Sequence, residues 1–314
     1  MTALRAVLHH DAGPVVLELL AQRRTGWLDL DWTPVRDRGR LPAALADADV
    51  LLHVLDPVDD AMLALAPRLR LVQKLGVGVN TIDLDAARAR GVAVANIPGV
   101  NAIAAAEHTI ALLLATLRRL PTYDRATRAG RGWAVDAALG EACGEVAGRT
   151  VGLVGHGAIA RRVERVLVAL DARVLHTCRT PDGPDWRPLD DLLAESDAVS
   201  LHVPLTPETA GLLSRERLAR MRLGAVLVNT ARGGLVDQAA LTDALRTGRL
   251  AGAGLDVFAA EPTAAGEPLL GLETVVATPH VAWLTVETLA RCLDAAVENC
   301  RRLHTGQELA DRIV

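Results

Sequence analysis

Residues Thr150–Arg161 read TVGLVGHGAIAR, and this stretch restricts the fold more than any other. A short apolar run enters Gly155-His156-Gly157, and an amphipathic run leaves it. Gly155 permits a tight turn, and Gly157 lets backbone approach a pyrophosphate. The phosphates then sit on the free N–H groups of a helix N-terminus, where the helix dipole favours an anion. Ala160 replaces the third glycine of such loops and is small enough for close helix–strand contact. The strand before, the helix after and a second strand at Val174–Thr177 supply the context that a dinucleotide-binding unit requires. Gly155, His156, Gly157, Ala158 and Ile159 are therefore expected cofactor contacts.

The same alternation runs along the chain. Strand candidates are Arg5–His9, Val50–Val54, Leu71–Lys74, Val92–Asn96, Thr150–Val154, Val174–Thr177, Ala198–Leu201, Ala225–Asn229, Ala253–Leu255 and Thr274–Ala277. Helical stretches such as Ile159–Leu170 and Gln238–Thr247 lie between them. This order predicts an α/β protein with two doubly wound parallel sheets, one on either side of the Pro98–Arg149 region. Ala102–Leu120 is the longest helix candidate and is apolar around most of its circumference, so it is expected to be buried. Asn101 is placed to cap it.

Composition closes off several function classes. The chain has 314 residues and a net charge of -4, so no basic surface argues for nucleic acid. The N-terminus does not read as a signal peptide, and the Ala102–Leu117 run, broken by Glu107 and His108, is too polar to span a bilayer. A cytoplasmic protein with no membrane partner is expected. Cys143, Cys178, Cys292 and Cys300 form no paired spacing. A reducing compartment fits them, and no clustered metal ligands are evident.

The segments LGVGVNTIDL (75–84), GVNAIAAAEHTIALLL (99–114), HVPLTPETAGL (202–212), VLVNTARGGLVD (226–237), GAGLDVFAAEP (252–262) and ATPHVAW (277–283) resemble, in order and spacing, the D-isomer-specific 2-hydroxyacid dehydrogenases, in particular glyoxylate/hydroxypyruvate reductases. The resemblance covers nearly the whole chain. It implies a flavodoxin-like substrate domain (1–97 and 285–314), a Rossmann NAD(P)-binding domain (98–284), an active site in the cleft and a homodimer. It also implies a catalytic set of Arg232, Glu261 and His280. Those residue types suit reduction of a small 2-oxo acid to its 2-hydroxy acid. An imidazole such as that of His280 suits delivery of the proton, Glu261 favours the imidazolium, and the planar Arg232 fork holds the carboxylate and carbonyl. Formate dehydrogenases of the family carry Gln where this chain has Glu261.

Further contacts follow from the resemblance. His202, Val203, Pro204 and Thr209 match the loop over the adenosine ribose, Thr230 and Ala231 run beside the nicotinamide, and Asp256 accepts from its carboxamide. Backbone N–H groups of Leu75, Gly76 and Val77 surround the substrate carboxylate, although the glycines equally suit an ordinary turn. His53 either lines the substrate pocket or is a satisfied loop histidine. Lys74, the sole lysine, either serves the carboxylate site or is a solvated side chain leaning out of a strand end. Trp283 either walls off a small pocket or belongs to the core or a dimer contact. Some relatives act instead as corepressors that sense NAD(P)H, and that binding-module role is the alternative.

The second strand of the dinucleotide unit ends in VLHTCRT. An acid normally stands there, about 20 residues after the glycine loop, and binds the adenosine 2′-hydroxyl. Here Cys178 removes the charge, and Arg179 and Thr180 supply donors suited to a 2′-phosphate. NADP(H) is thus expected over NAD(H), unless Arg179 merely lies beneath the adenine or faces solvent.

Overall fold

The computed structural model describes residues 3–134 and 137–314. Two compact units divide the chain, one of residues 1–101 with 284–314 and one of residues 102–283. Chain changeover thus falls at 101/102 and 283/284, against the expected 97/98 and 284/285.

The first unit is built on β1 (Leu4–His9), β2 (Leu28–Thr33), β3 (Val50–His53), β4 (Leu71–Lys74) and β5 (Ala93–Ala95), paired in the order β2-β1-β3-β4-β5. Every pairing is parallel. This is the flavodoxin-like strand order. β2 is not among the strand candidates, because in LDLDWT each leucine is followed by an aspartate, Asp29 and Asp31. As an edge strand it buries only one face, with Leu28 and Leu30 inward and Asp29 exposed. The C-terminal helix Val286–Thr305 belongs to this unit, where Asn299 Nδ2 donates to Gln73 Oε1 at 2.7 Å inside the core.

The second unit is built on β6 (Thr150–Val154), β7 (Arg173–Thr177), β8 (Ala198–Leu201), β9 (Ala225–Asn229), β10 (Leu250–Leu255) and β11 (Val275–Ala277). Their order is β11-β10-β9-β8-β6-β7, again all parallel. Because β6 lies between β7 and β8, the connections leave in opposite directions from its C-terminal end. That topological switch point is where open α/β sheets bind ligands. Among the described residues no helix is long and apolar enough to cross a membrane.

The long helix ends earlier than expected, at Leu117. Arg119 takes a left-handed φ of 52° and a second helix runs Leu120–Arg128. Pro121 accounts for the break, since it has no N–H and its ring collides with the carbonyl four residues back. Asn101 does not cap the helix, because its Oδ1 is buried with no hydrogen-bond partner among the described residues. The helix packs on β10, where glycine sets the spacing. A Cβ at Gly254 would lie 2.9 Å from Leu112 Cβ and 3.2 Å from the Leu112 carbonyl oxygen.

Gly254→Val must push this helix off the sheet and is expected to cost about 1–3 kcal/mol. Urea denaturation should show a lower midpoint with an unchanged slope, and an unchanged midpoint would mean that the glycine does not set the spacing.

Candidate active site

The glycine loop sits at the switch point of the second sheet. Gly155 N–H donates to Thr177 O at 2.9 Å, and His202 N–H donates to Val154 O at 2.7 Å, so the loop is fixed from both neighbouring strands. Gly155 has φ +99°, and a Cβ there would lie 2.7 Å from the His202 carbonyl oxygen. Only glycine lets the segments after β6 and β8 approach this closely. Nothing lies within 4 Å of a Cβ built at Gly157, and no side chain caps the helix Ala158–Ala169 that it begins. An open, uncapped helix N-terminus beside a glycine turn fits a dinucleotide pyrophosphate. Ala158 and Ile159 form its first turn, with Ala160 fully buried against the sheet.

The loop after β8 is shaped by its own side chains. Thr209 Oγ1 donates to Pro204 O at 2.6 Å and accepts from Thr206 N at 2.8 Å, which closes residues 204–209. His202 Nε2 is buried without a partner among the described residues, and burial lowers the histidine to about 4, so it is neutral near pH 7. Val203 packs against the core from the same loop.

Arg232, Glu261 and His280 come together just beyond the C-terminal ends of β9, β10 and β11. His280 Nδ1 lies 2.6 Å from Glu261 Oε2, while Glu261 Oε1 accepts the Phe258 N–H at 2.9 Å. Both oxygens of Glu261 are thus used, and the carboxylate is aimed. Burial raises its pKa, but the His280 bond, the Phe258 bond and the charges of His280 and Arg232 outweigh this and hold it below the usual range. Arg232 is half-buried, and its Nη1 donates to the Ala231 carbonyl at 2.6 Å. Burial lowers its pKa, opposed by Glu261.

His280 itself has φ +55°, rare for a residue with a side chain. The buried carboxylate of Asp256 holds it there. Asp256 Oδ1 accepts from Thr278 Oγ1 at 2.6 Å and Val281 N at 2.9 Å, Oδ2 accepts from Ala282 N at 2.8 Å, and the Asp256 carbonyl accepts the His280 N–H at 2.7 Å. Most of its hydrogen-bonding capacity goes to the loop that carries His280, so Asp256 positions His280 whatever else it touches. Thr230 Oγ1 pairs with Thr109 Oγ1 at 2.8 Å, and Ala231 N–H donates to Asn229 Oδ1 at 3.0 Å. Trp283 is half-buried at the end of the same loop.

Sequence reasoning missed Asn229 and His108. Asn229 is buried and brackets the Arg232 backbone, donating from Nδ2 to its carbonyl at 2.9 Å. His108 Nε2 lies 2.9 Å from Thr278 Oγ1 and 3.5 Å from Asp256 Oδ1. A lone amide at the end of an apolar strand was a usable signal for Asn229. Nothing in sequence spacing pairs His108 with Asp256.

The end of β7 is more crowded than VLHTCRT suggests. Arg179 and Thr180 are exposed. Cys178 Sγ lies 3.1 Å from Asp182 Oδ1, and His176 Nε2 lies 2.8 Å from the same oxygen. Hydrogen bonds from Cys178 and His176 hold the Asp182 carboxyl down at about 2. The imidazoles of His156 and His176 stack with centroids 3.8 Å apart.

The substrate-side expectations fall in the first unit. His53 ends β3 buried, its Nε2 2.7 Å from the Asp56 carbonyl, and burial together with Lys74 lowers it to about 3. Lys74 is not solvated, contrary to expectation, but buried at the end of β4 with its ammonium donating to the Val54 carbonyl. Sequence could not show that the β3 end turns back over it. The Leu75 N–H is also not available for a carboxylate, because it extends the β3–β4 ladder by donating to His53 O at 2.8 Å. The Gly76 and Val77 carbonyls accept from Ile97 N at 2.8 Å and Asn96 Nδ2 at 2.7 Å, which fixes that turn.

Residues 110–282 match the family model described as D-isomer specific 2-hydroxyacid dehydrogenase, NAD binding domain. D-3-phosphoglycerate dehydrogenase of Mycobacterium bovis is 42% identical over 91% of this chain and 55% of its own length, so the chain spans little more than half of that relative. Glyoxylate reductase of Korarchaeum cryptofilum is 43% identical over 83% of this chain and 81% of its own length. The crystal structure of the TT0316 protein from Thermus thermophilus superposes with a TM-score of 0.86 at 38% identity, covering 99% of this chain and all of that one.

Replacing His280 by Asn removes the bond and charge that lower Glu261 and leaves burial, which raises it. The Glu261 carboxyl pKa is therefore expected to move upward in His280→Asn, measured by carbon NMR of the labelled side chain. A pKa that stays put or falls would show that the pair is not coupled as its geometry requires.

Proposed function

The chain belongs to the D-isomer-specific 2-hydroxyacid dehydrogenase family, and on that premise we propose that it reduces a small 2-oxo acid to the 2-hydroxy acid with a nicotinamide dinucleotide. The observation that carries this reading is the 2.6 Å His280–Glu261 pair with Arg232 beside it at the strand ends of a sheet that also bears the glycine loop. When bound, the reduced nicotinamide supplies the hydride to the 2-carbon. The chain's own residues do the rest. Arg232 holds the substrate carboxylate and polarises the carbonyl with its planar fork of N–H groups. His280, its Nδ1 held by Glu261, turns Nε2 to the 2-oxo oxygen and gives it a proton as the hydride arrives. In the reverse direction the neutral imidazole takes that proton from the hydroxyl. Glu261 stabilises the imidazolium and keeps the ring aimed.

We further propose NADP(H) as the favoured cofactor. Arg179 follows the uncharged Cys178, and Arg161 lies close enough for its charge to act on the Cys178 thiol. Asp182, the carboxylate beside Cys178, is engaged by His176 and Cys178.

His280→Asn should lower kcat for glyoxylate or hydroxypyruvate reduction by about 10²–10⁴-fold while cofactor affinity is kept. Loss of reduced-nicotinamide absorbance follows the reaction, and retained turnover would remove His280 from the mechanism. Arg179→Ala is expected to raise KM for NADPH about tenfold or more, the value of a charge-assisted bond, and to change KM for NADH far less. Equal changes for both would show that Arg179 does not read a 2′-phosphate.

A further inference from the structure

The long helix Ala102–Leu117 meets β10 in a repeating register. A Cβ at Gly252 would lie 2.8 Å from Thr116 Cγ2, and one at Gly254 would lie 2.9 Å from Leu112 Cβ. Four residues along a helix cover about 6 Å, and two residues along a strand cover roughly 6–7 Å. Helix and strand therefore run in opposite directions with matched steps. Thr116 meets Gly252, Leu112 meets Gly254, and the next step brings His108 to Asp256. The first two steps are tight packing over glycine. The third is polar: His108 Nε2 lies 3.5 Å from Asp256 Oδ1 and 2.9 Å from Thr278 Oγ1.

The direction of each bond follows from what each group can give. Thr278 has one hydroxyl proton and donates it to Asp256 Oδ1 at 2.6 Å. Toward His108 the Thr278 oxygen can then only accept, so His108 Nε2 carries a proton and donates it. Donation runs from His108 through Thr278 to Asp256. A hydroxyl is a rotor, and a donor already aimed at its oxygen turns its own proton the other way. The Asp256 side chain at the end of this chain is fully buried, and that of His108 at its start is 24% exposed.

We infer that His108 is a positioning residue for His280: by donating to Thr278 it fixes the Thr278 hydroxyl on Asp256 and so holds the loop that aims the His280 ring. Asp256 takes this hydroxyl from before His280 and the N–H groups of Val281 and Ala282 from after it. Removal of the first donor leaves the side-chain anchor on one flank of His280 only. The other flank is then held by backbone alone, Thr278 N–H on Leu255 O at 2.9 Å and His280 N–H on Asp256 O at 2.7 Å. A left-handed residue has a lower-energy conformation to relax into once its anchors weaken. The catalytic consequence rests on the reduction proposed above, while the hydrogen-bond chain stands without it.

Three variants test the role, with circular dichroism to check that each is folded. His108→Leu removes the donor, His108→Gln keeps an N–H in its place, and Thr278→Val removes the hydroxyl but keeps the shape. His108→Leu should lower kcat for glyoxylate or hydroxypyruvate reduction about 3–10-fold, the value of one hydrogen bond, and leave KM for the dinucleotide unchanged. His108→Gln should recover most of that loss. Added to Thr278→Val, His108→Leu should cost about twofold at most, because both residues act through one chain. Fully additive losses, or a Gln variant no better than Leu, overturn the role. Hydrogen exchange of the Val281 and Ala282 amides reads the same loop without substrate. It should run about 3–10-fold faster in His108→Leu and at the parent rate in His108→Gln. Unchanged exchange in His108→Leu overturns the inference whatever the activity does. A parent chain that reduces no 2-oxo acid, with exchange faster in His108→Leu, would instead reject the reductase reading and keep His108 as the residue that holds the His280 loop.

Discussion

The geometry of the Arg232–Glu261–His280 set depends on one buried carboxylate. Asp256 is fully buried, and its two oxygens take the Thr278 hydroxyl and the N–H groups of Val281 and Ala282. Left-handed backbone at His280 costs about 1–3 kcal/mol. Hydrogen bonds to a charged group contribute about 1.5–3 kcal/mol each, so three of them outweigh that cost. The strain then serves a purpose. With its backbone held at φ +55°, His280 places Nδ1 2.6 Å from Glu261 rather than turning away with the chain. His108, lodged against Thr278 and Asp256 from the long helix, ties the same anchor to the packing of that helix on β10.

The anchor works because of where parallel strands end. All six strands of the second sheet point their C-termini to one edge. Segments far apart in sequence therefore deliver side chains to the same side without long loops. Gly155, His202, Arg232 and Asp256 each follow within three residues of the end of β6, β8, β9 and β10. Buried strand residues fix the depth of each ending, as in β9, where all five residues are buried before Thr230 emerges. Reach and aim are then left to single residues such as Asn229, which fastens the Arg232 backbone.

This division explains what could be read from sequence. Glycine loop, strand runs and the helix after Gly157 follow local rules of periodicity and turn chemistry, so Thr150–Val154, Ala198–Leu201 and Ala225–Asn229 were legible to the residue. β2 was not, because an edge strand with one exposed face tolerates the two aspartates that erase its apolar signature. Arg232, Glu261 and His280 were legible only through their joint motif, since each alone is an ordinary polar residue in a turn. Burial of Lys74 and convergence of His156, His176, Cys178 and Asp182 were not legible, because spacing along the chain carries no information on which loop folds back over which strand end.

The two units also show that strand order alone does not decide the ligand. Both sheets place their first strand between the second and third, and both have a switch point at its C-terminal end. In the second unit that end opens into Gly-His-Gly and an uncapped helix. In the first unit β1 ends in His9, whose ring nitrogens lie 3.3 Å from the Thr33 carbonyl and 3.2 Å from Asp56 Oδ2. Arg38 fills the other Asp56 oxygen at 2.8 Å, and Pro14 removes an N–H from the first turn of the following helix. The helix at Pro14 is likewise uncapped behind Gly13, but the tight Gly-His-Gly turn directly after the strand has no counterpart there. The neutral His53 and the buried Lys74 stand on the next strands over. Dinucleotide binding is assigned to the second unit by the glycine turn that follows β6 and by the family match over residues 110–282, rather than by the fold the two units share.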